Sequence, residues 1–392
     1  MKTTSQKINE ILERGIEQII EKNSLLEKLK SGKKLRIKHG IDPTGPKIHI
    51  GRAIQFRKLK NFQDLGHKIV LIIGDFTALI GDASDKQAMR KPLSEKEIKE
   101  NMKGYKEQIG KILDMKKTEI RHNSEWLNKI TVKELLSLAM HFSAQQMIQR
   151  RNFKERWEQE KPIGIHELAY PLFQGYDSFA VKADVEIGGA DQLFNLKVGR
   201  EIQKMFGQPP QDIITSKMLS GLDGRKMSTS WGNMVTIVDK PNEMYGKIMS
   251  MKDEFIFEYF ELCTDIPLSE IKNMSFKKTN PRDLKAKLAR EIVSIYHGKE
   301  SALSAEKEFN KVFKEKKLPS SVSLIKISQK SLNILELLFK ARLVSSKAEA
   351  KRLINQKGVK IGNEVQIDWQ KQIKIKKGLV IQVGKRKFAK IA

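Results

Sequence analysis

The stretch Arg36 to Arg52, RIKHGIDPTGPKIHIGR, constrains the fold of this chain more than any other. A short β-like run opens it, two prolines and three glycines form a loop, and a helix follows with apolar residues at Phe56, Leu59 and Phe62. Gly66 closes that helix. The next run, IVLIIG from Ile69 to Gly74, is continuously apolar, as expected of a strand buried on both faces of a parallel sheet. The whole reads as a βαβ unit. In such a unit the loop after the first strand lies at the carboxyl edge of the sheet, against a helix N-terminus whose free N–H groups favour anions. Thr44 and His49 fall in that loop. It is neither a GxxxxGK[ST] phosphate loop nor a GxGxxG fingerprint, so a nucleotide here would be held in another way. A plain structural turn is the competing reading.

Length and charge set further bounds. The 392 residues suffice for two or three domains with separate cores. Seventy-four Lys and Arg against 47 Asp and Glu leave a net charge of +27, an excess that calls for a polyanionic partner unless it is only a solvated lysine-rich surface. From Ser321 to Ala392 there are 17 Lys and Arg against 4 Asp and Glu, so the excess is concentrated at the end of the chain. The one cysteine, Cys263, rules out an internal disulfide framework and a multi-cysteine zinc site, and fits a reducing cytoplasm. It is expected to be a buried small residue. Charges interrupt the apolar pattern of the first twenty residues, and no uninterrupted apolar run of about 18 residues occurs elsewhere, so neither a signal peptide nor a membrane span is expected.

Residues 5 to 30 have helical periodicity, with Ile8, Ile11, Leu12, Ile16 and Ile19 on one side. After the βαβ unit comes GDFTALIGDAS, where Thr77 and Asp82 flank an apolar turn; an acid in that place binds a ligand ammonium or ribose, or caps a helix. A helix over residues 94 to 113 opens with a capping box, Ser94 and Glu97. The polar cluster HNSEWL precedes Trp126, and residues 131 to 160 read as a helical insertion with a dimer surface as one use. From Ile165 onward, Tyr170, Gln174 and Asp177 recur at i, i+4 and i+7 and share one face of a helix otherwise made of Leu, Phe and Ala. That stripe is either a site or a solvent-facing edge. A strand from Ala183 to Ile187 then runs into Gly188-Gly189, with Asp191 and Gln192 beyond its carboxyl end. SGLDGRKMSTSWGN, Ser220 to Asn233, is a glycine-flanked loop that offers Arg225, Lys226, Ser228, Thr229 and Ser230 to a phosphate chain.

His49-Ile50-Gly51 in its Asp-Pro-Thr context, followed by Lys226-Met227-Ser228, resembles the paired signatures of the class I aminoacyl-tRNA synthetases. The runs Tyr170 to Asp177 and Gly188 to Gln192 are similar to those of the bacterial tyrosyl-tRNA synthetase family in particular. The resemblance implies an α/β, Rossmann-like parallel-sheet catalytic domain over residues 1–238, with a helical insertion and dimer surface at about 120–165. It implies a helical domain and linker over 239–325, and a small basic α+β RNA-binding domain, of the kind named for a ribosomal protein, over 326–392. It also implies a two-step reaction: tyrosine and ATP give tyrosyl-adenylate and pyrophosphate, then tRNA(Tyr) takes the tyrosyl group. The partners are L-tyrosine, ATP and tRNA(Tyr), with Mg2+ on the ATP phosphates, in a cytoplasmic homodimer.

By the same resemblance, Thr44, His49 and Lys226 serve catalysis on the phosphates. ATP is further met by His39, Gly51, Arg52, Asp191, Arg225, Ser228, Thr229 and Ser230. Asp177 receives the phenol hydroxyl, while Tyr170, Gln174 and Asp82 hold the ammonium group; Lys38, Gly40, Asp42, Thr77 and Gln192 complete the tyrosine set. Three positions depart from the family pattern. Arg52 stands for a second histidine, Thr229 for a later lysine, and Lys38 for a tyrosine that shares the phenol. Lys38 is a subgroup trait, and it either pairs with Asp177 or donates to the phenol oxygen. The altered signatures leave a second possibility, an RNA-binding protein on a synthetase scaffold that has lost activation.

Beyond Val238 the pattern turns helical as far as Lys314, and Leu318 to Lys326 reads as a linker. A helix opened by Ser346 and Glu349 and ended by Gly358 buries Ala350, Leu353 and Ile354, and turns Lys347, Lys351 and Arg352 outward, a basic face suited to RNA phosphates. Val359 to Ile361 and Leu379 to Phe388 alternate apolar and basic residues as half-buried strands do.

Overall fold

The computed structural model describes residues 4–82, 93–225, 227, 232–313, 323–362, 364–384 and 387–392. Packing divides the chain into two units, residues 1–240 with 247–298, and residues 241–246 with 299–392.

The first unit begins with α1 (Thr4–Glu13), β1 (Ile16–Ile20) and α2 (Lys22–Lys30), where sequence periodicity predicts one helix. The backbone leaves the helical region at Gly15 (φ +61) and again at Glu21 (φ +63). Between these breaks the β-branched run IEQII pairs antiparallel with a later strand, which outweighs its helical spacing. The βαβ unit follows as β2 (Arg36–Ile41), α3 (Ile50–Asp64) and β3 (Lys68–Ile73), with β2 and β3 parallel over their full length. Then come α4 (Thr77–Ile80), α5 (Glu95–Met102) and α6 (Tyr105–Ile109). Ser94 and Glu97 form the expected capping box, but Gly104 at φ +79 splits the expected helix in two.

Strand β4 (Thr118–His122) and α7 (Ser124–Leu127) lead to the helical insertion, which is made of three short helices, α8 (Val132–Ala139), α9 (Ala144–Ile148) and α10 (Arg151–Glu158). Helix α11 (Ile165–Ala180), β5 (Val185–Gly189), α12 (Leu193–Met205) and β6 (Asp212–Ser216) complete a six-stranded sheet of order β1-β6-β5-β2-β3-β4. All its pairs are parallel except β1 with β6. The chain winds from β2 outward through β3 to β4, then returns to place β5 and β6 on the other side. The point of reversal lies between β2 and β5, and ligands of open α/β sheets bind outside the carboxyl ends at such a point.

After β6 the chain is helical: α13 (Pro241–Met249), α14 (Ile256–Cys263), α15 (Leu268–Asn273), α16 (Pro281–His297) and α17 (Lys299–Phe313). Cys263 is buried, and burial pushes its thiol up to about 12, so it is an inert core residue.

In the second unit β7 (Ser323–Ile325) occupies the end of the stretch read as linker; residues 318–322 of that stretch lie outside the described residues. Next are β8 (Ser331–Asn333), α18 (Ile334–Lys340), α19 (Lys347–Asn355), β9 (Val359–Ile361), β10 (Glu364–Val365), β11 (Gln372–Lys374), β12 (Val380–Val383) and β13 (Lys387–Ile391). The alternating run from Leu379 to Phe388 falls on a hairpin of β12 and β13. Its sheet, β10-β9-β12-β13-β7, and the two helices share a core that includes Leu337, Ala350, Ile354, Val359 and Ile381.

Candidate active site

The loop after β2 is fixed from both ends. His49 is the N-cap of α3, its Nδ1 accepting the Arg52 N–H at 3.3 Å. His49 also bridges Thr236, with the Ile50 N–H donating to the Val235 carbonyl at 2.9 Å and the Ile237 N–H to the Ile48 carbonyl at 3.0 Å. The segment that follows the Ser220–Asn233 loop is thereby laid against His49. Helices α5 and α6 hold the middle of the first loop through side chains. Asn101 donates to the Pro43 carbonyl, Tyr105 to that of Gly45 and Gln108 to that of Pro46, while Gln108 also accepts the Ile48 N–H. Arg52 reaches back across the loop, donating to Thr44 Oγ1 at 2.7 Å and to the Asp42 carbonyl at 3.4 Å. Since the N–H groups of Ile50 and Arg52 are already taken by Val235 and His49, it is the Arg52 guanidinium that offers this end of the crevice to phosphate oxygens.

Of the residues expected in the second loop, Lys226, Ser228, Thr229 and Ser230 lie outside the described residues. Arg225 is exposed and forks onto the Asp223 carboxylate, which Asn233 also holds. Asp191 is exposed on the single 3-10 turn after β5. His39 faces the other way from its neighbour Lys38, packing edge-on against Phe56 with Nδ1 2.8 Å from the Ile187 carbonyl. Burial lowers its pKa to about 4, so it is a neutral imidazole under the site.

The other wall is a chain of polar side chains on α11. Tyr170, Gln174 and Asp177 do share a helix face, Tyr170 and Asp177 buried with it. The Tyr170 hydroxyl donates to Asp42 Oδ2 at 2.9 Å, and Thr77 Oγ1 donates to Asp42 Oδ1 at 2.7 Å. Gly74 makes this possible, since a Cβ there would lie 2.0 Å from Asp42 Oδ1 and 2.4 Å from Thr77 Oγ1. Asn123 joins Thr77 to Asp177, donating to Thr77 Oγ1 at 3.0 Å and to Asp177 Oδ2 at 3.3 Å. Trp126 Nε1 donates to Asp177 Oδ1 at 2.8 Å. Asp177 is only 3% exposed, and burial pushes its carboxyl up to about 7.

A second chain runs through Asn195, which donates to Gln174 Oε1 at 2.9 Å and to Gln192 Oε1 at 3.0 Å; Gln192 in turn donates to Asp82 Oδ2 at 2.6 Å. Asp82, expected to take an ammonium, is ion-paired with Arg150 at 3.0 Å. Lys38 is the clearest departure from expectation. Its ammonium sits on Glu186 at 2.8 Å, on neither Asp177 nor open space, because β2 and β5 bring these two residues side by side. Gly40, exposed at the carboxyl end of β2, leaves the crevice floor without a side chain.

The family model for tRNA synthetases class I (W and Y) matches residues 30–314. The chain belongs to this synthetase family. It is 46% identical over 387 residues to the tyrosine–tRNA ligase of Thermotoga maritima, covering 97% of this chain and 96% of that one. It is 45% identical over 390 residues to that of Moorella thermoacetica, covering 97% and 94%. The tyrosyl-tRNA synthetase of Archaeoglobus fulgidus, solved with L-tyrosine, shares the fold at a TM-score of 0.63 with 22% identity, over 78% of this chain and 100% of that one.

Several residues around this crevice were not legible in the sequence. Asn123, just past β4, and Trp126 on α7 reach Asp177, and Glu186 reaches Lys38 from β5. Asn101, Tyr105 and Gln108 shape the first loop from helices that carry no motif. The polar cluster before Trp126 was the only local signal, and nothing in its spacing says which carboxylate it serves.

Proposed function

We propose that this synthetase is a tyrosine–tRNA ligase, and that Asp177 is the observation that carries the reading. A buried carboxylate at the end of a polar stripe, with both oxygens held by neutral N–H donors, suits a phenol hydroxyl and leaves phenylalanine with an unanswered acceptor. The tyrosine carboxylate is already ionised at neutral pH, so its attack on the α-phosphorus of ATP needs no general base. An oxygen–phosphorus bond forms, pyrophosphate leaves with its electron pair, and tyrosyl-adenylate remains. A ribose hydroxyl at the 3′ end of tRNA then attacks the carbonyl and releases AMP. What the protein supplies is orientation and positive charge on the leaving phosphates, each well-placed donor contributing about 3 kcal/mol. His49, Thr44 and Arg52 at the α3 N-terminus supply the first set, and Lys226 with its loop the second.

Mg2+ enters on ATP. The described carboxylates of the site are committed to protein donors, Asp42 to Thr77 and Tyr170, Asp82 to Arg150 and Gln192, so the triphosphate is the natural ligand for a hard cation. The enzyme acts as a homodimer in the cytoplasm. Supporting the dimer, Val132 and Leu136 on α8 and Met140 at its C-cap recur every fourth residue and are 59–79% exposed. The test of activity is tyrosine-dependent exchange of labelled pyrophosphate into ATP without tRNA, against phenylalanine and tryptophan. Exchange with tyrosine alone is expected; none from folded protein would return the chain to the RNA-binding alternative.

A further inference from the structure

Lys38 and Glu186 stand in register on neighbouring parallel strands, and their side chains are 0% and 2% exposed. An ammonium has three N–H bonds to place. Lys38 places them on Glu186 Oε1 at 2.8 Å, on Ser178 Oγ at 2.7 Å and on the Gln174 carbonyl at 3.0 Å. No donor is left for a phenol. Glu186 is equally engaged, its Oε2 accepting from the Ser178 hydroxyl at 2.9 Å and from the Gln211 amide. Gly199 on α12 provides the room, since a Cβ there would lie 2.8 Å from Ser178 Oγ and 2.9 Å from Gln211 Nε2.

The turn that Lys38 grips, Gln174 to Ser178, is the turn that carries Asp177. The Lys38 charge acts on Asp177, favouring its ionised form, yet the two are not paired. In a dry interior an ammonium without its counter-ion moves to another carboxylate in reach, because an unpaired buried charge is far costlier than a paired one. Were Asp177 to become that partner, the acceptor for the substrate would be occupied.

We propose that Glu186 is a positioning residue for substrate specificity: by holding Lys38 it keeps Asp177 open to the phenol hydroxyl. The inference rests on the reading of this pocket as a tyrosine site. The two fail differently, for a wild-type protein without tyrosine-dependent exchange removes the underlying reading whatever the variants do.

In Glu186→Gln the released ammonium turns to Asp177, so KM for tyrosine in pyrophosphate exchange rises about tenfold or more while KM for ATP stays within about twofold. In the double variant Lys38→Met with Glu186→Gln there is no ammonium to release, and KM for tyrosine returns to within about threefold of wild type. A merely structural pair gives the opposite order, with the double variant at least as impaired as the single. An unchanged tyrosine KM in Glu186→Gln, or a double variant no better than the single, overturns the proposal. If Glu186→Gln does not fold, the double variant decides by the same criterion. If neither folds, the pair is a structural requirement and the specificity role falls.

Discussion

Burial raises the Asp177 carboxyl from its ordinary 3.8 to about 7, against the charge of Lys38 and the N–H groups of Trp126 and Asn123, which favour the ionised form. The sign of the linkage follows. Between these two values the folded protein keeps a proton that the unfolded chain has released, so the group favours folding below about pH 4 and this contribution is lost as the pH rises through 7. Binding runs the other way, because the ionised carboxylate is the stronger acceptor for a phenol. KM for tyrosine in pyrophosphate exchange is therefore expected to rise as the pH is lowered through about 7. Asp177→Asn keeps the shape and removes the charge. Its KM for tyrosine should be higher by about 10- to 100-fold, the loss of one charge-assisted hydrogen bond, and flat with pH. A titration that persists in the variant would assign the effect to another group. At this scale the sequence was informative wherever one helix sets the geometry, as for Tyr170, Gln174 and Asp177. It marked the cluster around Asn123 and Trp126 without a role and was silent on Glu186, because their meeting with that helix depends on strand order, which no local pattern encodes.

Among elements, the β2–α3–β3 unit was legible because three independent signals agree: a buried apolar strand, a glycine- and proline-rich loop, and helical periodicity ending at a glycine. The α1–β1–α2 region was not. Its five-residue strand carries a pattern compatible with helix, and only the pairing of Ile19 with Ile214 and Ile20 with Ile213 decides the matter. Equally hidden was the support of the loop between β2 and α3 by α6. Gln108 is 7% exposed and satisfies two backbone groups of that loop, the Pro46 carbonyl and the Ile48 N–H. Removing it strands both, at a cost of about 1–3 kcal/mol. With the proposed division of the crevice, the loop for the phosphates and α11 for tyrosine, Gln108→Ala should therefore lower kcat/KM for ATP in the exchange reaction and leave KM for tyrosine near wild type. A rise in both KM values together would mean that α6 supports the whole crevice and not the loop alone.

For the whole molecule, two surfaces bear on assembly. If the proposed dimer forms through α8, Leu136→Glu, which places a charge in the middle of the exposed apolar row, should shift the protein from dimer to monomer in sedimentation, without loss of folded signal. An unaltered sedimentation coefficient would exclude that row as the interface. The second surface is the basic end of the chain. Lys347, Lys351 and Arg352 are exposed on α19 while Ala350 and Ile354 fill the core beneath them, and Lys351 lies 3.9 Å from the centre of the Trp369 ring. An ammonium over an indole face is held in place yet stays available to an anion. If this face meets RNA phosphates, its affinity must be driven by counterion release, and KM for tRNA should climb steeply between about 50 and 200 mM salt. KM for tyrosine in exchange has no reason to follow it. Replacing Lys347 and Arg352 by Ala in the full chain should lower the salt slope by about one unit for each phosphate no longer neutralised, weakening charging while exchange proceeds as before. Lys351→Ala should do the same and also free the Trp369 ring. Equal losses in charging and exchange would show that these residues act through folding, because a surface that only recruits tRNA cannot alter a reaction from which tRNA is absent.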